Sequence, residues 1–212
     1  MHVQGLLFDN DGVLVDSTAA VENSWRAFAR WYDLPADDVL QRVHGRRSRD
    51  VIEHYADRLP VPPDEAFQRY IDACVRDFAQ VDLLPGAADT IAALPKTGWA
   101  VVTSGTKIVT HARWAAAGLP DPPVLISAED VSSGKPDPDP YRTAANRLHL
   151  APAACLAIED SPPGLAAARA AGCTTLALLT THERHDLDAD LLAPDLKAVR
   201  ISHNGGFEVT VE

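Results

Sequence analysis

The stretch VQGLLFDNDGVLVDS, residues 3–17, indicates the type of fold more directly than any other part of the sequence. Residues 3–8 form a nearly continuous apolar run, which is typical of a strand buried on both faces of a parallel sheet. Asp9 and Asp11 follow at the carboxyl end of this strand, where open α/β sheets bind their ligands. Two buried like charges so close together are costly, so we expect a cation or a shared proton between them. A polar turn without chemistry is the alternative interpretation of this motif.

Further apolar runs follow along the chain and alternate with helical patterns, which predicts a parallel sheet covered by helices. The predicted strands are residues 99–103, 124–127, 155–158 and 174–179. The predicted helices are residues 87–94, 106–117, 140–148 and 162–171. Near the end of the chain, residues 199–202 and 207–211 flank an Asn-Gly-Gly turn, which predicts a C-terminal β-hairpin.

About ninety residues separate the first strand from the second, far more than one crossover helix requires. Val21, Trp25, Phe28 and Tyr32 recur in this segment at helical spacing, as do several apolar residues after position 66. We therefore predict an α/β core formed by residues 1–16 and 84–212, interrupted by a helical cap at residues 17–83.

The composition excludes several classes of function. Lysine and arginine together number 19 and aspartate and glutamate 30, so the formal net charge is −11. This charge argues against a nucleic-acid partner and against an anionic membrane surface. The first residues contain no basic segment of a secretory signal, and the three cysteines are widely spaced. We expect a cytoplasmic, monomeric protein without disulfides.

Polar groups that could carry chemistry follow the other strands. Ser104 and Gly105 come after the second strand, Lys135 after the third, and Glu159 with Asp160 at the end of the fourth. Each motif alone has an ordinary explanation, such as a helix cap or a solvated lysine. Together they would meet at one edge of one sheet, because the carboxyl ends of parallel strands lie on the same side.

The order of these motifs resembles that of the haloacid dehalogenase superfamily. The resemblance covers essentially the whole chain, and the segment at residues 9–17 is its most specific part. Stretches at residues 44–47, 99–106 and 134–138 resemble the sugar and polyol phosphatases, a group that includes glycerol phosphatases and 2-deoxyglucose-6-phosphatases. The resemblance implies a doubly wound, Rossmann-like core with an inserted helical cap, and hydrolysis of a small phosphorylated sugar or polyol.

The resemblance also implies roles for the carboxylates. Asp9 would be the nucleophile that takes the phosphoryl group, and Asp11 the acid that protonates the leaving alcohol and then activates water. Mg²⁺ would bind the Asp9 carboxylate, the backbone carbonyl of Asp11 and Asp160, with Glu159 close by, directly or through water. Oxygen ligands of this kind are the ones that Mg²⁺ prefers.

The remaining site residues would bind the substrate. Ser104, the backbone of Gly105 and Lys135 would hold the phosphoryl oxygens, with Lys135 offsetting part of the negative charge. In the cap, His44 and Arg47 match the family stretch and would contact the sugar or polyol. A solvated basic surface is the alternative for the arginines of this region.

Two other functions stay open at this point. A mutase similar to β-phosphoglucomutase is one, although that branch has a histidine at the position of Val21. A regulatory module that binds phosphate without catalysis is the other, although such a module would be expected to have lost at least one of Asp9, Asp11, Lys135 and Asp160.

Overall fold

The computed structural model describes residues 1–43, 45–77 and 79–212, so His44 and Phe78 lie outside the described residues. The strands are β1 His2–Val3, β2 Gly5–Phe8, β3 Val15–Asp16, β4 Asp82–Leu83, β5 Trp99–Val102, β6 Leu125–Ile126, β7 Cys155–Glu159, β8 Thr174–Leu178, β9 Leu191–Ala193, β10 Val199–His203 and β11 Phe207–Val211. The α-helices are α1 Thr18–Trp31, α2 Ala36–Leu40, α3 Ser48–His54, α4 Pro63–Asp77, α5 Ala87–Ala93, α6 Lys107–Ala117, α7 Asp139–Arg147 and α8 Pro162–Ala171.

A parallel sheet with the strand order β6-β5-β2-β7-β8-β9 forms the centre of the described chain. The chain runs outward from β2 to β5 and β6, then returns to the other side of β2 and continues through β7, β8 and β9. The strand order therefore reverses at β2, and a ligand crevice is expected outside the carboxyl end of that strand. The predicted doubly wound α/β fold is confirmed.

The first predicted strand, residues 3–8, is wrong in its extent. Gly5–Phe8 pairs in the central sheet, whereas His2–Val3 pairs antiparallel with β11 of the C-terminal hairpin. Gln4 separates the two strands, and its backbone amide donates to Ala154. The hairpin itself is confirmed, with β10 and β11 paired over five residues each.

The segment predicted as a cap contains helices α1 to α4, and its apolar side chains form a hydrophobic cluster that Val109 of α6 joins from the core. Trp25, Phe28 and Tyr70 lie at the centre of this cluster, with Trp25 stacked on Tyr70. The segment is joined to the core by the short antiparallel pair β3 and β4. The division into a core and a cap with the limits given above remains our proposal.

The strand β9 was not predicted. It has three residues and lies between Asp190 and Pro194, and so short a run gives little periodicity. It pairs parallel with β8 and extends the sheet by one strand. No described helix is both long and apolar enough to span a bilayer.

Candidate active site

The loop after β2 places Asp9 and Asp11 at the point where the strand order reverses. Gly12 closes this loop with a φ of +89°, a conformation that glycine adopts readily and other residues rarely do. A Cβ atom on Gly12 would also overlap with the carboxylate of Asp160. Glycine therefore lets the loop after β2 approach the loop after β7.

Lys135 lies at the centre of the site, and its ammonium group donates three hydrogen bonds. The acceptors are Asp9 Oδ1 at 2.7 Å, Glu159 Oε1 at 2.6 Å and the carbonyl of Val102 at 3.1 Å. Burial alone would lower the pKa of Lys135, but the Asp9 and Glu159 carboxylates outweigh it and raise the pKa above its ordinary value. Lys135 therefore stays charged and fixes the position of Asp9.

Asp9, Glu159 and Asp160 form a buried acidic cluster. Each offers one carboxylate oxygen, and these oxygens all lie within 4.8 Å of one another. Burial raises the pKa of Asp9 well above its ordinary value, and the charges of Glu159 and Asp160 add to this against the opposing charge of Lys135. Burial, and then the Glu159 carboxylate, raise the pKa of Asp160 to about 7. The carboxylates of this cluster therefore favour binding a proton or a cation.

The donor set suits a divalent cation. Three carboxylates face one ammonium group, so the cluster carries 3 − 1 = 2 excess negative charges when all groups are ionised. Hard oxygen ligands of this type are preferred by Mg²⁺ and Ca²⁺. Both oxygens of Glu159 already accept hydrogen bonds, Oε1 from Lys135 and Tyr141 and Oε2 from Ser161. Asp9 and Asp160 are therefore the members best placed to hold an ion.

Asp11 lies in a different electrostatic environment from Asp9. Its Oδ1 accepts hydrogen bonds from Arg113 and Ser17, each at 2.5 Å, and its Oδ2 accepts one from Asn10 at 3.0 Å. Burial raises the pKa of Asp11, but the Arg113 charge and the hydrogen bonds from Ser17 and Asn10 outweigh it, so the pKa is lowered. The pKa values of the two carboxylates of the motif are therefore displaced in opposite directions in the metal-free site.

A cavity of about 120 Å³ lies over this site, between the central sheet and helices α1 and α4. Its walls on the side of the insert are Val21, Trp25, Val43, Gly45, Arg46, Ser48, Tyr70, Ile71 and Cys74. On the side of the sheet they include Asp9, Asp11, Ser104, Gly105, Arg113, Lys135 and Asp160. The predicted phosphate-binding residues therefore share one cavity with the two aspartates.

Two contacts join the insert to loops of the site. Ser104 Oγ donates to the carbonyl of Gly45 at 2.9 Å. Arg47 donates to the carbonyls of Val131 and Ser132, at 3.4 Å and 3.1 Å, and is held by Asp50. Arg47 therefore contacts the loop that leads to Lys135, and its predicted role in substrate binding remains a prediction. His44, the other predicted cap residue, is outside the described residues.

A family model described as haloacid dehalogenase-like hydrolase matches residues 3–172, which is most of the chain. The chain belongs to this family. As a haloacid dehalogenase-like hydrolase it is an enzyme, and the non-catalytic alternative loses its support.

Several curated relatives of this hydrolase are named as phosphatases of polyol or sugar phosphates. Hexitol phosphatase A of Escherichia coli is 36% identical, with both chains covered completely. Glycerol-1-phosphate phosphohydrolase 2 of Saccharomyces cerevisiae is 30% identical, and the alignment covers 100% of this chain and 89% of that protein. A hydrolase from Pseudomonas syringae has a similar structure, with a TM-score of 0.79 at 25% identity over 91% of this chain and 94% of its own. The predicted resemblance to the sugar and polyol phosphatases is confirmed.

Three residues of the hydrolase site were missed by the sequence analysis. Arg113 contacts Asp11, Tyr141 donates to Glu159 at 2.6 Å, and Thr181 donates to the Asp160 carboxylate. A signal for Arg113 was present, because it lies in α6 between the buried residues Val109 and Trp114 at helical spacing. A charged residue on the apolar face of a helix is a candidate for function. Tyr141 and Thr181 gave no such signal, because neither is a charged residue on an apolar helix face.

Proposed function

We propose that this enzyme hydrolyses the phosphate monoester of a small sugar or polyol, with Mg²⁺ as cofactor. The observation that carries the proposal is the pairing of Asp9 and Asp11, one fixed by Lys135 and the other by Arg113, in the wall of one cavity. The names of the hexitol and glycerol-1-phosphate phosphatases among the relatives support the substrate class.

Asp9 is the nucleophile of the proposed reaction. One of its carboxylate oxygens attacks phosphorus, and the bond between phosphorus and the ester oxygen breaks, leaving its electron pair on that oxygen. Asp11 gives a proton to the departing alcohol. Asp11 then takes a proton from water, which attacks phosphorus, and the bond between Asp9 and phosphorus breaks to release inorganic phosphate.

The other residues of the site manage charge. Lys135 holds the Asp9 carboxylate and places positive charge next to the phosphoryl group. The hydroxyl of Ser104 and the amide of Gly105, which in this structure donate to Gly45 and Thr103, would exchange these partners for phosphoryl oxygens when the substrate binds. Asp9 and Asp160 would hold Mg²⁺, which supplies positive charge to the phosphoryl group during transfer. Glu159 positions Lys135 from a fully buried location.

The cavity suits a small substrate with hydroxyl groups. Its volume of about 120 Å³ is well below the ~300 Å³ of the smaller pockets for drug-sized ligands. Trp25 and Tyr70 offer aromatic faces, and Arg46 and Ser48 offer donors at the same wall. Val21 lines the cavity where the mutase branch has a histidine, which favours hydrolysis over transfer to a second sugar.

A panel of phosphate monoesters, assayed with and without Mg²⁺, tests the proposal. We expect small polyol and sugar phosphates to be hydrolysed fastest, and activity to be lost in the chelated enzyme and restored by Mg²⁺. The control is Asp9→Asn, which keeps the volume of the side chain but removes the nucleophile. Turnover by this variant near the wild-type rate, or the same turnover with and without the metal, would reject the proposed mechanism.

A further inference from the structure

Arg113 is a buried charge with few partners. It lies on α6, only 5% exposed, between the apolar side chains of Val109 and Trp114. Within the part of the chain that the structure describes, Asp11 is its one hydrogen-bond partner, at 2.5 Å from Nη1. Its Nε is buried and has no partner among the same residues.

Stability does not explain this arrangement. Removing an arginine and an aspartate from water is costly, and a buried ion pair contributes little net stability compared with apolar residues of similar volume. The unpartnered Nε adds a further cost, because a buried donor without an acceptor loses its hydrogen bond to water. A buried pair of this kind at the wall of a cavity is therefore better explained by what it does for Asp11.

The geometry defines what Arg113 does for Asp11. The side chain of Arg113 is buried on α6, and its ion pair with Asp11 Oδ1 restricts the direction of the Asp11 carboxylate, with Ser17 donating to the same oxygen and Asn10 to the other. Arg113 and Asp11 both belong to elements of the central α/β layer rather than to helices α1 to α4. The pair itself lies in the core, while α6 also packs against α4 of the insert and Ser17 directly precedes α1.

We propose that Arg113 is a positioning residue for Asp11, which orients the Asp11 carboxyl group for its two proton transfers. The inference rests on the proposed function, because it needs Asp11 as the acid and base. Its consequence is selective. Loss of Arg113 should slow the reaction when the leaving group needs a proton, as an alkyl alcohol does. It should hardly change the rate when the leaving group departs without a proton, as a nitrophenolate does.

Pre-steady-state kinetics of Arg113→Met, with substrate in excess over enzyme, test this selectivity. The two substrates are 4-nitrophenyl phosphate and the alkyl phosphate of the panel that the wild-type enzyme hydrolyses fastest. We expect the rate of alcohol release from the alkyl phosphate to fall on the order of 100-fold, the range of a misplaced proton donor. The burst of nitrophenolate should stay within about threefold of the wild-type rate, followed by slow turnover, because attack by Asp9 is intact while water activation is impaired.

Two further variants keep the test decisive. Arg113→Lys retains the charge but not the planar geometry, and should lose less on the alkyl phosphate than Arg113→Met does. It also replaces Arg113→Met if that variant does not fold, as judged by circular dichroism and burst amplitude. Asp11→Asn combined with Arg113→Met should release alcohol no more slowly than Asp11→Asn alone, because a residue that acts through Asp11 has no effect once Asp11 is removed.

The matched control is Arg147→Met, which removes an Arg–Asp pair on α7 outside the cavity, between Arg147 and Asp130. It should leave the rates with both substrates within about twofold of wild type, since the Arg147 side chain is about half exposed and neither residue of the pair lines the cavity. The inference is overturned if Arg113→Met lowers the rates of alcohol release and of the nitrophenolate burst by the same factor. It is also overturned if Arg113→Met reacts faster than wild type with the alkyl phosphate, which would mean that Arg113 restrains Asp11. A wild-type enzyme that hydrolyses no ester of the panel would instead reject the proposed function.

Discussion

At the scale of single residues, the site separates two aspartates that are two positions apart in sequence. Asp9 faces Lys135 and two other carboxylates, whereas Asp11 faces Arg113 and hydroxyl and amide donors. Their pKa values are displaced in opposite directions as a result. These directions belong to the metal-free cluster, in which Asp9 favours the protonated form and Asp11 the ionised form. A cation bound by Asp9 and Asp160 would lower the pKa of Asp9 and favour the ionised form that a nucleophile needs.

The acidic cluster predicts an unusual pH dependence of stability in the metal-free enzyme. The pKa of Asp160 is about 7 in the folded state, against about 3.9 for an unfolded chain, so between these values the folded state holds a proton that the unfolded state has lost. The free energy of unfolding should therefore fall as the pH rises from 5 to 7, by at most ~1.4 kcal/mol per pH unit for this group. The lowered pKa of Asp11 changes the free energy of unfolding only below about pH 4, so it does not oppose this trend.

Thermal unfolding of the chelated enzyme at pH 5.5 and 7.5 measures this effect. We expect a lower Tm at pH 7.5, and a larger rise in Tm on adding Mg²⁺ at pH 7.5 than at pH 5.5, because the ion binds the ionised carboxylates. Asp160→Asn should reduce both differences. A Tm of the chelated wild-type enzyme that increases over this interval would contradict the account.

The residues found from the sequence are those that follow strands. Asp9, Ser104, Lys135 and Asp160 could be placed at one edge because parallel strands end on the same side. Arg113 could not be placed there, because it lies two turns into a helix and its partner is 102 residues away. The orientation of a helix about its own axis, which brings Arg113 to Asp11, follows from tertiary packing.

At the scale of elements, the first turn of α8 is shaped by the residue at the end of β7. Gly164 lies at the third position of this helix, where alanine would be favoured by about 1 kcal/mol on propensity alone. A Cβ atom at this position would overlap with the Glu159 carboxylate, which is fully buried. Glycine therefore lets the helix start directly over the network of Glu159 and Lys135.

Gly164→Ala should consequently destabilise the enzyme despite its higher helix propensity. We expect a loss of roughly 1–3 kcal/mol from overpacking, together with a lower kcat as Glu159 and Lys135 are displaced. The control is Gly118→Ala, at a left-handed position where an added Cβ meets no atom within 4 Å. That variant should lose only about 1 kcal/mol through backbone strain and keep its kcat. Urea unfolding and steady-state assays measure both, and equal effects on kcat would refute the role assigned to Gly164.

The elements themselves were predictable to different degrees. Helix α8 was predicted with its observed limits because Pro162 marks its start and Gly172 ends it in a left-handed conformation. The short helices α2 and α3 and the strand β9 were missed, since five to seven residues of helix or three of strand give too little periodicity. β1 pairs with the C-terminal hairpin, and local sequence patterns do not predict a contact between segments so far apart in the chain.

At the scale of the whole molecule, the insert and the core meet over the site through residues 45–47. Ser104 donates to Gly45, and Arg47 donates to the loop before Lys135. Arg47 also packs against Gly134, where an added Cβ would lie 2.9 Å from the Arg47 side chain. The insert is thus in direct contact with Ser104 and with the loop before Lys135, two of the proposed phosphate-binding residues. The sequence predicted both segments, but not this contact, which depends on how they dock.

Arg47→Ala should therefore weaken closure more than chemistry. We expect kcat/KM for the best alkyl phosphate to fall about tenfold or more, and that for 4-nitrophenyl phosphate to fall much less, because closure orients the part of the substrate remote from phosphorus. The matched control is Arg49→Ala, an arginine in the first turn of α3 whose ion-pair partner is the exposed Asp64. It should change neither value by more than about twofold. Equal losses for both substrates in Arg47→Ala would place this residue in the phosphoryl site or the fold instead.

The most direct test of the central claim is whether Asp9 becomes phosphorylated. Asp11→Asn is mixed with 4-nitrophenyl phosphate and Mg²⁺, quenched with acid within the burst, and analysed by intact mass and peptide mapping. The account predicts a gain of one phosphoryl group, located on Asp9 and removed by hydroxylamine, and no gain in Asp9→Asn treated in the same way. The account is contradicted if the wild-type enzyme releases nitrophenolate while Asp9 of the quenched Asp11→Asn variant carries no phosphoryl group. A phosphoryl group on another residue would contradict it as well.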